Sequence, residues 1–392
     1  MNCDLKIFTE NIEPEAVNQV YTLIAQPPFD GQTVRIMPDV HYGAGCVVGF
    51  TGTLGDKIIP NVLGVDLGCG MLCAELGKID IDYAALDGFI KAKIPTGSAY
   101  RNEYHAEDLI KKLICFKDLK NLDRLFGSLG TLGGGNHFIE IDEDDEGGKY
   151  LVIHSGSRNL GLQVAKYYQR LAVECCKNAA EKERALVIAA LKSSPDKIPE
   201  AIAEVNKKYA YRTKIPAELC YLDGKEMQDY MHDLRLCQQF AAMNRKMMCD
   251  ALTKFLCVFK YTTFETVHNY IGEDNIIRKG SIPAHKGQRV LIPMNMRDGC
   301  LIAVGKGNPD WNESAPHGAG RILKRCEVKK LFSVEEFKES MRGIYSTTIG
   351  EGTLDESPFA YKPMEEIMEL IAPTVDIERI IKPVYSFKAG ED

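Results

Sequence analysis

The periodicity of the apolar residues changes twice along the chain, and this restricts the fold more than any other feature. Up to about residue 155, short apolar or β-branched runs such as CVVGFTGTL and MLCAELG end at Gly, Asp or Pro, as strands do. From about 160 to 260, two long segments repeat apolar residues at helical spacing. Strand-like runs then return, followed by a last helix, PMEEIMELIAP, and a short tail, IIKPVYSFKAG. We predict an α+β fold with a β-rich core, as one domain over residues 1–392 with a mainly helical insertion at about 160–260; two domains are the alternative.

Composition and charge exclude several classes of protein. The 48 basic and 55 acidic side chains give a net charge of −7, which excludes a globally basic nucleic-acid coat but leaves a local basic groove open. No apolar run approaches the ~20 residues of a membrane span, and the N-terminus lacks the layout of a signal peptide. The thirteen cysteines follow no regular framework and include no CxxC pair. They indicate a reducing compartment, and we predict a cytoplasmic protein without a membrane partner.

The glycine-rich stretch VDLGCGM places Asp66 three residues before Cys69. The two side chains could be a pair of metal ligands on a tight turn. They could equally be a turn-forming Asp followed by a small buried thiol. The stretch alone leaves both interpretations open.

Eight histidines are present, and five of them lie in Gly-, Pro- or Asn-rich junctions at the ends of strand-like runs. Of the other three, His105 and His232 have polar or helical neighbours and are expected to be surface or helix residues, and His285 is expected in a loop next to Lys286. Loops on a rigid scaffold favour active sites, and glycine lets backbone approach a ligand closely. The five junction histidines are His41, His137, His154, His268 and His317.

A set of Cys, His and Asp side chains favours zinc and other first-row transition metals, and the carboxylate also admits manganese. A thiolate has enough lone pairs to bridge two ions, and two ions can clamp the oxygens of phosphoryl transfer. GxxxxGK[ST] and Lys-x-Asp-Gly sequences are missing, and GTLGGGNH lacks the spacing of a dinucleotide fingerprint. We therefore predict a metal-dependent enzyme acting on phosphates, with histidine as the alternative to a lysine nucleophile.

Six ordered segments together resemble the RtcB-type RNA-splicing ligases. The resemblance spans about residues 30 to 390 and continues more weakly through SPFAYKPMEEI and KPVYSFKAG. The segments are MPDVHYGAG, GVDLGCGM, GTLGGGNHFIEI, VIHSGSRNLG, VHNYIxxxxxIIRKGS and SAPHGAGR.

The resemblance implies an RtcB-like fold around a two-metal site that prefers Mn²⁺. It implies an enzyme that uses GTP to join an RNA 3′-phosphate or 2′,3′-cyclic phosphate end to a 5′-hydroxyl end, in RNA repair or tRNA splicing. His317 would hold GMP covalently, and the GMP would then pass to the RNA 3′-phosphate to give an activated end. An archease-like activator is an expected partner.

The resemblance also implies a role for individual residues. Asp66, Cys69 and His137 would bind one ion, and Cys69, His154 and His268 the other, with Cys69 bridging the two. Asn136 would contact a phosphate oxygen, and Tyr361 and Lys388 would bind the guanine base. Arg321 could balance phosphate charge. The implied nucleotide-binding residues are Asn136, Glu140, Asn295, Gly318, Gly320, Tyr361 and Lys388.

The chain departs from the family pattern near the expected nucleotide site. It has PMNMRDG, with Asn295, Arg297 and Asp298, in place of a Gly/Ser-rich run. This departure motivates two alternatives for a divergent paralogue: RNA end processing without sealing (cyclic phosphodiesterase or 3′-end guanylyl capping), and an inactive RNA-binding protein. Asn244 and Arg245 match a helix of the family. Two interpretations are open for them: contact with RNA or nucleotide, or a place on a solvated helix face.

Overall fold

The computed structural model describes residues 2–210 and 214–389, and within them it confirms the α+β class. The strands form two large sheets and two small ones. They are β1 (Asp4–Ile7), β2 (Thr33–His41), β3 (Val48–Thr53), β4 (Lys57–Ile58), β5 (Gly70–Gly77), β6 (Phe138–Glu143), β7 (Lys149–Ser155), β8 (Leu222–Asp223), β9 (Thr262–Val267), β10 (Asn269–Ile271), β11 (Ile276–Lys279), β12 (Ser281–Pro283), β13 (Arg289–Asn295), β14 (Gly299–Gly305), β15 (Ser314–Pro316) and β16 (Val375–Lys388).

The seven-stranded antiparallel sheet is the centre of the fold, in the order β13-β14-β16-β6-β7-β5-β9. Alternate residues of β5 enter two different apolar clusters, with Leu72 on one face and Met71 on the other. The sheet curls until its two edge strands meet. The contact between them is seen in the Leu291 N–H of β13, which donates to Thr266 Oγ1 of β9 at 2.9 Å. The concave face therefore encloses an interior of its own.

Strand β16 runs through the middle of this sheet, where the sequence indicated only a short tail. Its 14 residues pair with β14 on one side and β6 on the other. The register shifts between Pro383 and Tyr385, so proline sits at an irregularity where its missing N–H is tolerated. The prediction of a tail was wrong because the polar and proline-broken sequence masks a buried strand.

Within the described residues, the segment predicted to be helical contains the helices α5 (Arg158–Ala190), α6 (Ile198–Tyr209) and α7 (Gly224–Phe255). The longest, α5 and α7, have 33 and 32 residues, and α7 packs against β5 and β7. Within the described residues, none of the helices combines the length and the apolar character that crossing a bilayer requires. The helices are α1 (Pro14–Ile24), α2 (Tyr83–Lys93), α3 (Glu107–Ile110), α4 (Leu122–Phe126), α5 (Arg158–Ala190), α6 (Ile198–Tyr209), α7 (Gly224–Phe255), α8 (Arg325–Leu331), α9 (Val334–Ser340) and α10 (Met364–Ile371).

The second large sheet has the order β1-β2-β3-β11-β10, with only β1 and β2 parallel. Its strand β2 carries Asp39 and ends at His41. The short strand β15 ends at Pro316, so His317 follows directly. The Lys362 side chain ties this region to β2 by donating to the Pro38 carbonyl at 2.7 Å. These contacts hold the loop of His317 against β2.

Candidate active site

Four of the predicted metal ligands lie at one edge of the seven-stranded sheet. Cys69 stands just before β5 and His137 just before β6, whereas His154 lies near the end of β7 and His268 follows β9. These four strands are neighbours and alternate in direction, so two strand starts and two strand ends meet at the same edge. The His268 N–H also donates to the Cys69 carbonyl at 2.9 Å. The sheet topology thus brings together residues that are up to about 200 positions apart.

The side chains of this group converge on Cys69. Its Sγ lies 3.3 Å from His154 Nε2 and 3.5 Å from His137 Nε2. His137 Nε2 lies 2.9 Å from Asp66 Oδ2, and His154 Nε2 lies 3.4 Å from His268 Nε2. We call these five residues the Cys69 centre. The predicted ligand set therefore forms one contiguous cluster.

The orientation of the imidazole rings points their lone pairs into the Cys69 centre. His137 Nδ1 lies 2.9 Å from the Leu132 carbonyl, and His154 Nδ1 lies 3.0 Å from the Asn136 carbonyl. A carbonyl only accepts, so each Nδ1 carries a proton, and in the neutral His154 ring Nε2 is therefore unprotonated. Several electron-rich atoms then face one another around Cys69 Sγ. Such a donor set fits a first-row divalent cation.

Burial works against charge on most of these groups. It raises the pKa of the Cys69 thiol well above its usual value, with a further contribution from Asp66. It lowers the pKa of both His154 and His268 far below the usual range, so both rings are neutral. Burial would also raise the pKa of Asp66, but the hydrogen bond from His137 outweighs it and holds the pKa at about 2. A bound cation is what would keep Cys69 as a thiolate here.

Asn244 and Arg245 support the centre from behind, and both are fully buried on α7. Arg245 Nη1 donates to the carbonyls of Gly68 and Ser155, at 2.9 Å each. These carbonyls directly precede Cys69 and follow His154. The alternative that Asn244 and Arg245 lie on a solvated helix face was therefore wrong. A tightly packed helix can bury polar side chains when they form hydrogen bonds to backbone.

A second group, His317 and Asp39, stands beside the Cys69 centre. The His317 ring lies 4.9 Å from that of His268 between centroids. Its Nδ1 lies 2.7 Å from Asp39 Oδ2, and Asp39 is fully buried. Asp39 was missed from the sequence, although it lies in the segment MPDVHYGAG. The reason is that it stands inside a strand, where its neighbours suggest packing. Burial lowers the pKa of His41 to about 4, so it is neutral at physiological pH.

Both groups face one cavity of about 680 Å³. Of the residues predicted to act in the site, all but His137 line this cavity. They are Asp66, Cys69, Asn136, Glu140, His154, His268, Asn295, His317, Gly318, Gly320, Tyr361 and Lys388. His137 lies just behind Cys69.

The far end of the cavity holds a buried charge network around Glu356. The carboxylate accepts from Lys388 Nζ at 2.8 Å and from the Tyr361 hydroxyl at 2.7 Å. Arg325 lies 2.6 Å away and Arg321 3.4 Å away. Glu356 was missed from the sequence because DESPFAY carries no motif of its own. It links the two residues predicted to bind guanine.

Asn295 lies on the cavity wall, but its polar atoms are used by the turn between β13 and β14. Its Nδ2 donates to Asp298 Oδ2 at 2.7 Å, and its Oδ1 accepts the N–H groups of Arg297 and Asp298. The PMNMRDG segment is therefore a self-contained hairpin turn. A nucleotide role for Asn295 stays a prediction.

The other three histidines do not line this cavity. His285 pairs with Glu313 at 2.8 Å, and His232 lies 3.0 Å from Asp233. Neither of them lines the cavity, and nor does His105.

The chain is an RNA ligase by family: the family model described as tRNA-splicing ligase RtcB matches residues 19–115 and 115–389. The chain belongs to the RtcB family, as its sequence motifs indicated. RNA-splicing ligase RtcB1 of Escherichia coli (strain ATCC 25922) is 30% identical, over 99% of this chain and 98% of its own length. RNA-splicing ligase RtcB of Escherichia coli K12 is 29% identical over the same shares. tRNA-splicing ligase RtcB of Nanoarchaeum equitans is 25% identical, over 94% and 91%.

Proposed function

We propose that this protein is a GTP- and Mn²⁺-dependent RNA ligase that joins RNA 3′-phosphate or 2′,3′-cyclic phosphate ends to 5′-hydroxyl ends. Family membership supports the RNA ligase class. The observation that carries the mechanism is the position of His317. Its Nδ1 is held by Asp39, and its ring stands against the Cys69 centre at the cavity wall.

The proposed first step is attack by His317 on the α-phosphorus of GTP. The proton stays on Nδ1, which donates a hydrogen bond to Asp39, so Nε2 carries the lone pair. An N–P bond forms, the bond from the α-phosphorus to the bridging oxygen breaks, and pyrophosphate leaves. Asp39 stabilises the positive charge that grows on the ring.

In the second step the RNA 3′-phosphate displaces His317 and takes the GMP. In the third step the 5′-hydroxyl attacks the activated phosphate, its proton is lost and GMP leaves. A cyclic end would first be opened by water to a 3′-phosphate. Gly318 and Gly320, beside His317, leave room for the phosphates to approach the ring.

Asp66, Cys69 and His137 would hold one Mn²⁺, and Cys69, His154 and His268 the other. When bound, the ions would supply Lewis-acid stabilisation of charge on the phosphate oxygens.

Tyr361 and Lys388 would bind the guanine base, and both are held by Glu356. Asn136 would contact a phosphate oxygen, and Glu140 would face the nucleotide. Arg321, whose guanidinium lies 5.2 Å from the Tyr361 ring centroid, would balance phosphate charge.

Two further proposals concern the whole chain. We propose one domain, because strands from both sides of the helical segment share the seven-stranded sheet. We also propose a cytoplasmic location, because the thirteen cysteines follow no regular disulfide framework, as in a reducing compartment.

Labelling with GTP tests the proposed nucleophile. Protein incubated with Mn²⁺ and α-labelled GTP, with and without an archease-like activator, is expected to acquire acid-labile, alkali-stable label. His317→Ala should abolish the label. His285→Ala, a histidine remote from the cavity, should keep it. Unlabelled wild type under both conditions contradicts the proposal, and label that persists in His317→Ala contradicts the assigned nucleophile.

Sealing is tested separately, with an RNA that has 3′-phosphate and 5′-hydroxyl ends. The proposal expects joined product that depends on GTP. Label on the protein or on the RNA end without joined product would instead identify end capping.

A further inference from the structure

A second cluster of metal-ligating side chains lies inside the curled sheet, next to the Cys69 centre but sharing no residue with it. Glu140 and Asp142 project from β6, and Cys300 from β14. One ligand atom of each lies within 4.8 Å of the others. All three are buried, with Asp142 at 0% exposure.

Apart from the neighbouring Cys300 thiol, the surroundings of this cluster offer Asp142 no compensation. Both of its carboxylate oxygens are buried and lack a hydrogen-bond partner. Glu140 is better placed, since its Oε1 accepts from Ser386 Oγ at 2.9 Å. The nearby Lys388 ammonium is already paired with Glu356 at 2.8 Å. An unpaired carboxylate in an apolar interior is strongly unfavourable unless a proton or a cation neutralises it.

We propose that Glu140, Asp142 and Cys300 bind a first-row divalent cation of the zinc type, at a site separate from the Cys69 centre. One thiolate and two carboxylates are ligands that such an ion accepts in tetrahedral geometry. Cys73 of β5 belongs to the same apolar cluster as Cys300, inside the curled sheet, and is the candidate for a fourth ligand. A harder ion such as Mg²⁺ is disfavoured by the thiolate, because Mg²⁺ prefers oxygen ligands.

The ion has a route to this site. Glu140 and Cys300 both line the large cavity, so the cluster is reached from solvent through it. An ion bound there would hold Glu140 ionised and fixed at the cavity wall. The proposal does not depend on the proposed ligase reaction, because its test measures binding of the metal alone.

Cobalt binding tests this site, because Co²⁺ bound to a thiolate gives a near-ultraviolet charge-transfer band. The Cys69→Ala variant, stripped of metal, removes the thiolate of the other centre and is titrated with Co²⁺. We expect the band to remain, to disappear in Cys69→Ala/Cys300→Ala, and to weaken in Cys69→Ala/Asp142→Asn. Cys69→Ala/Cys115→Ala, which removes a buried thiol elsewhere, should keep the band. Absence of the band in Cys69→Ala, or its persistence without Cys300, overturns the proposal.

A second measurement uses the chain with Cys69 intact, in case a double variant does not fold. Wild type and Asp142→Asn, which preserves shape, are loaded with Zn²⁺, dialysed and analysed for bound metal. We expect Asp142→Asn to retain one ion per chain fewer than wild type. Equal metal content overturns the proposal and shows that Asp142 is neutralised by a proton.

Discussion

Asp39 holds His317 by two hydrogen bonds, from the ring Nδ1 at 2.7 Å and from the backbone N–H at 3.2 Å, both to the same oxygen. The two residues are 278 positions apart, so only the folded chain brings them together. The bond to the ring fixes the proton on Nδ1 and leaves Nε2 unprotonated. The bond to the backbone fixes the loop that carries the ring. Asp39 thus sets both the tautomer and the position of His317.

The first prediction is that Asp39→Asn slows labelling of the protein by GTP about 10²–10⁴-fold. The asparagine amide can donate to Nδ1, which favours the tautomer with the proton on Nε2 and removes the nucleophilic lone pair. The rate of label incorporation at saturating GTP measures this effect. Binding of Mn²⁺ should change little, because Asp39 is not a ligand of the Cys69 centre. A rate within a factor of two of wild type would contradict the assigned role of Asp39.

The second prediction concerns the pH dependence of stability at Glu356. Burial alone would raise the pKa of Glu356, but Lys388, Arg325 and Arg321 outweigh it and hold the pKa at about 2, against an ordinary value of 4.5. A lowered pKa in the folded state stabilises the fold above the unfolded pKa, and this stabilisation is lost as the pH falls toward 2. Glu356→Gln should therefore lower the free energy of unfolding by about 3 kcal/mol at pH 7.

Urea unfolding at a series of pH values checks this prediction. The difference between wild type and Glu356→Gln should shrink as the pH falls from about 5 toward 2. Glu378→Gln, which alters a partly exposed carboxylate paired with Arg289 at 3.2 Å, should show a small difference at every pH. A difference for Glu356→Gln that does not vary with pH would show that its network is not held by ionisation.

The members of the Cys69 centre could be singled out as candidates because they stand in Gly-, Pro- or Asn-rich junctions at strand ends, whereas their assignment as metal ligands came from the family resemblance. Such junctions are visible in one sequence, and antiparallel neighbours bring their ends to a common edge. The strands near the site were predicted from the same signal, apolar runs that end at Gly, Asp or Pro. Cys69 and His154 were singled out because their positions coincide with such a local sequence signal.

Asp39, Glu356 and Arg245 could not be identified in this way, because their roles are purely tertiary. Asp39 lies inside the buried strand β2, where its neighbours suggest packing. Glu356 acts through partners from several other segments, among them Lys388 of β16. Arg245 has a helical environment in the sequence, and its buried position is set by how α7 packs on the sheet. Periodicity and motif spacing carry no information on such contacts.

The third prediction is that Arg245→Lys weakens binding of Mn²⁺ about 10–100-fold. The guanidinium bonds to two carbonyls and to Glu265 through separate nitrogens. A lysine ammonium lacks this planar fork and leaves at least one carbonyl unpaired. Calorimetric titration with Mn²⁺ measures the affinity. Lys246→Met, next in sequence but exposed and paired with Asp250, is the matched control and should bind Mn²⁺ as wild type does.

The fourth prediction compares two glycine-to-alanine substitutions, of which one is expected to slow GTP labelling and the other to raise stability. A Cβ at Gly156 would overlap the Asp66 carboxylate, whereas a Cβ at Gly88 in α2 would meet nothing within 4 Å. In Gly156→Ala, Asp66 must move from its position 2.9 Å from His137 Nε2, and we expect GTP labelling to slow about 10²-fold. Gly88→Ala should label normally and raise the free energy of unfolding by about 0.5–1 kcal/mol, because alanine favours a helix. Label incorporation and urea unfolding measure the two effects, and normal labelling of Gly156→Ala would show that the position of Asp66 does not matter.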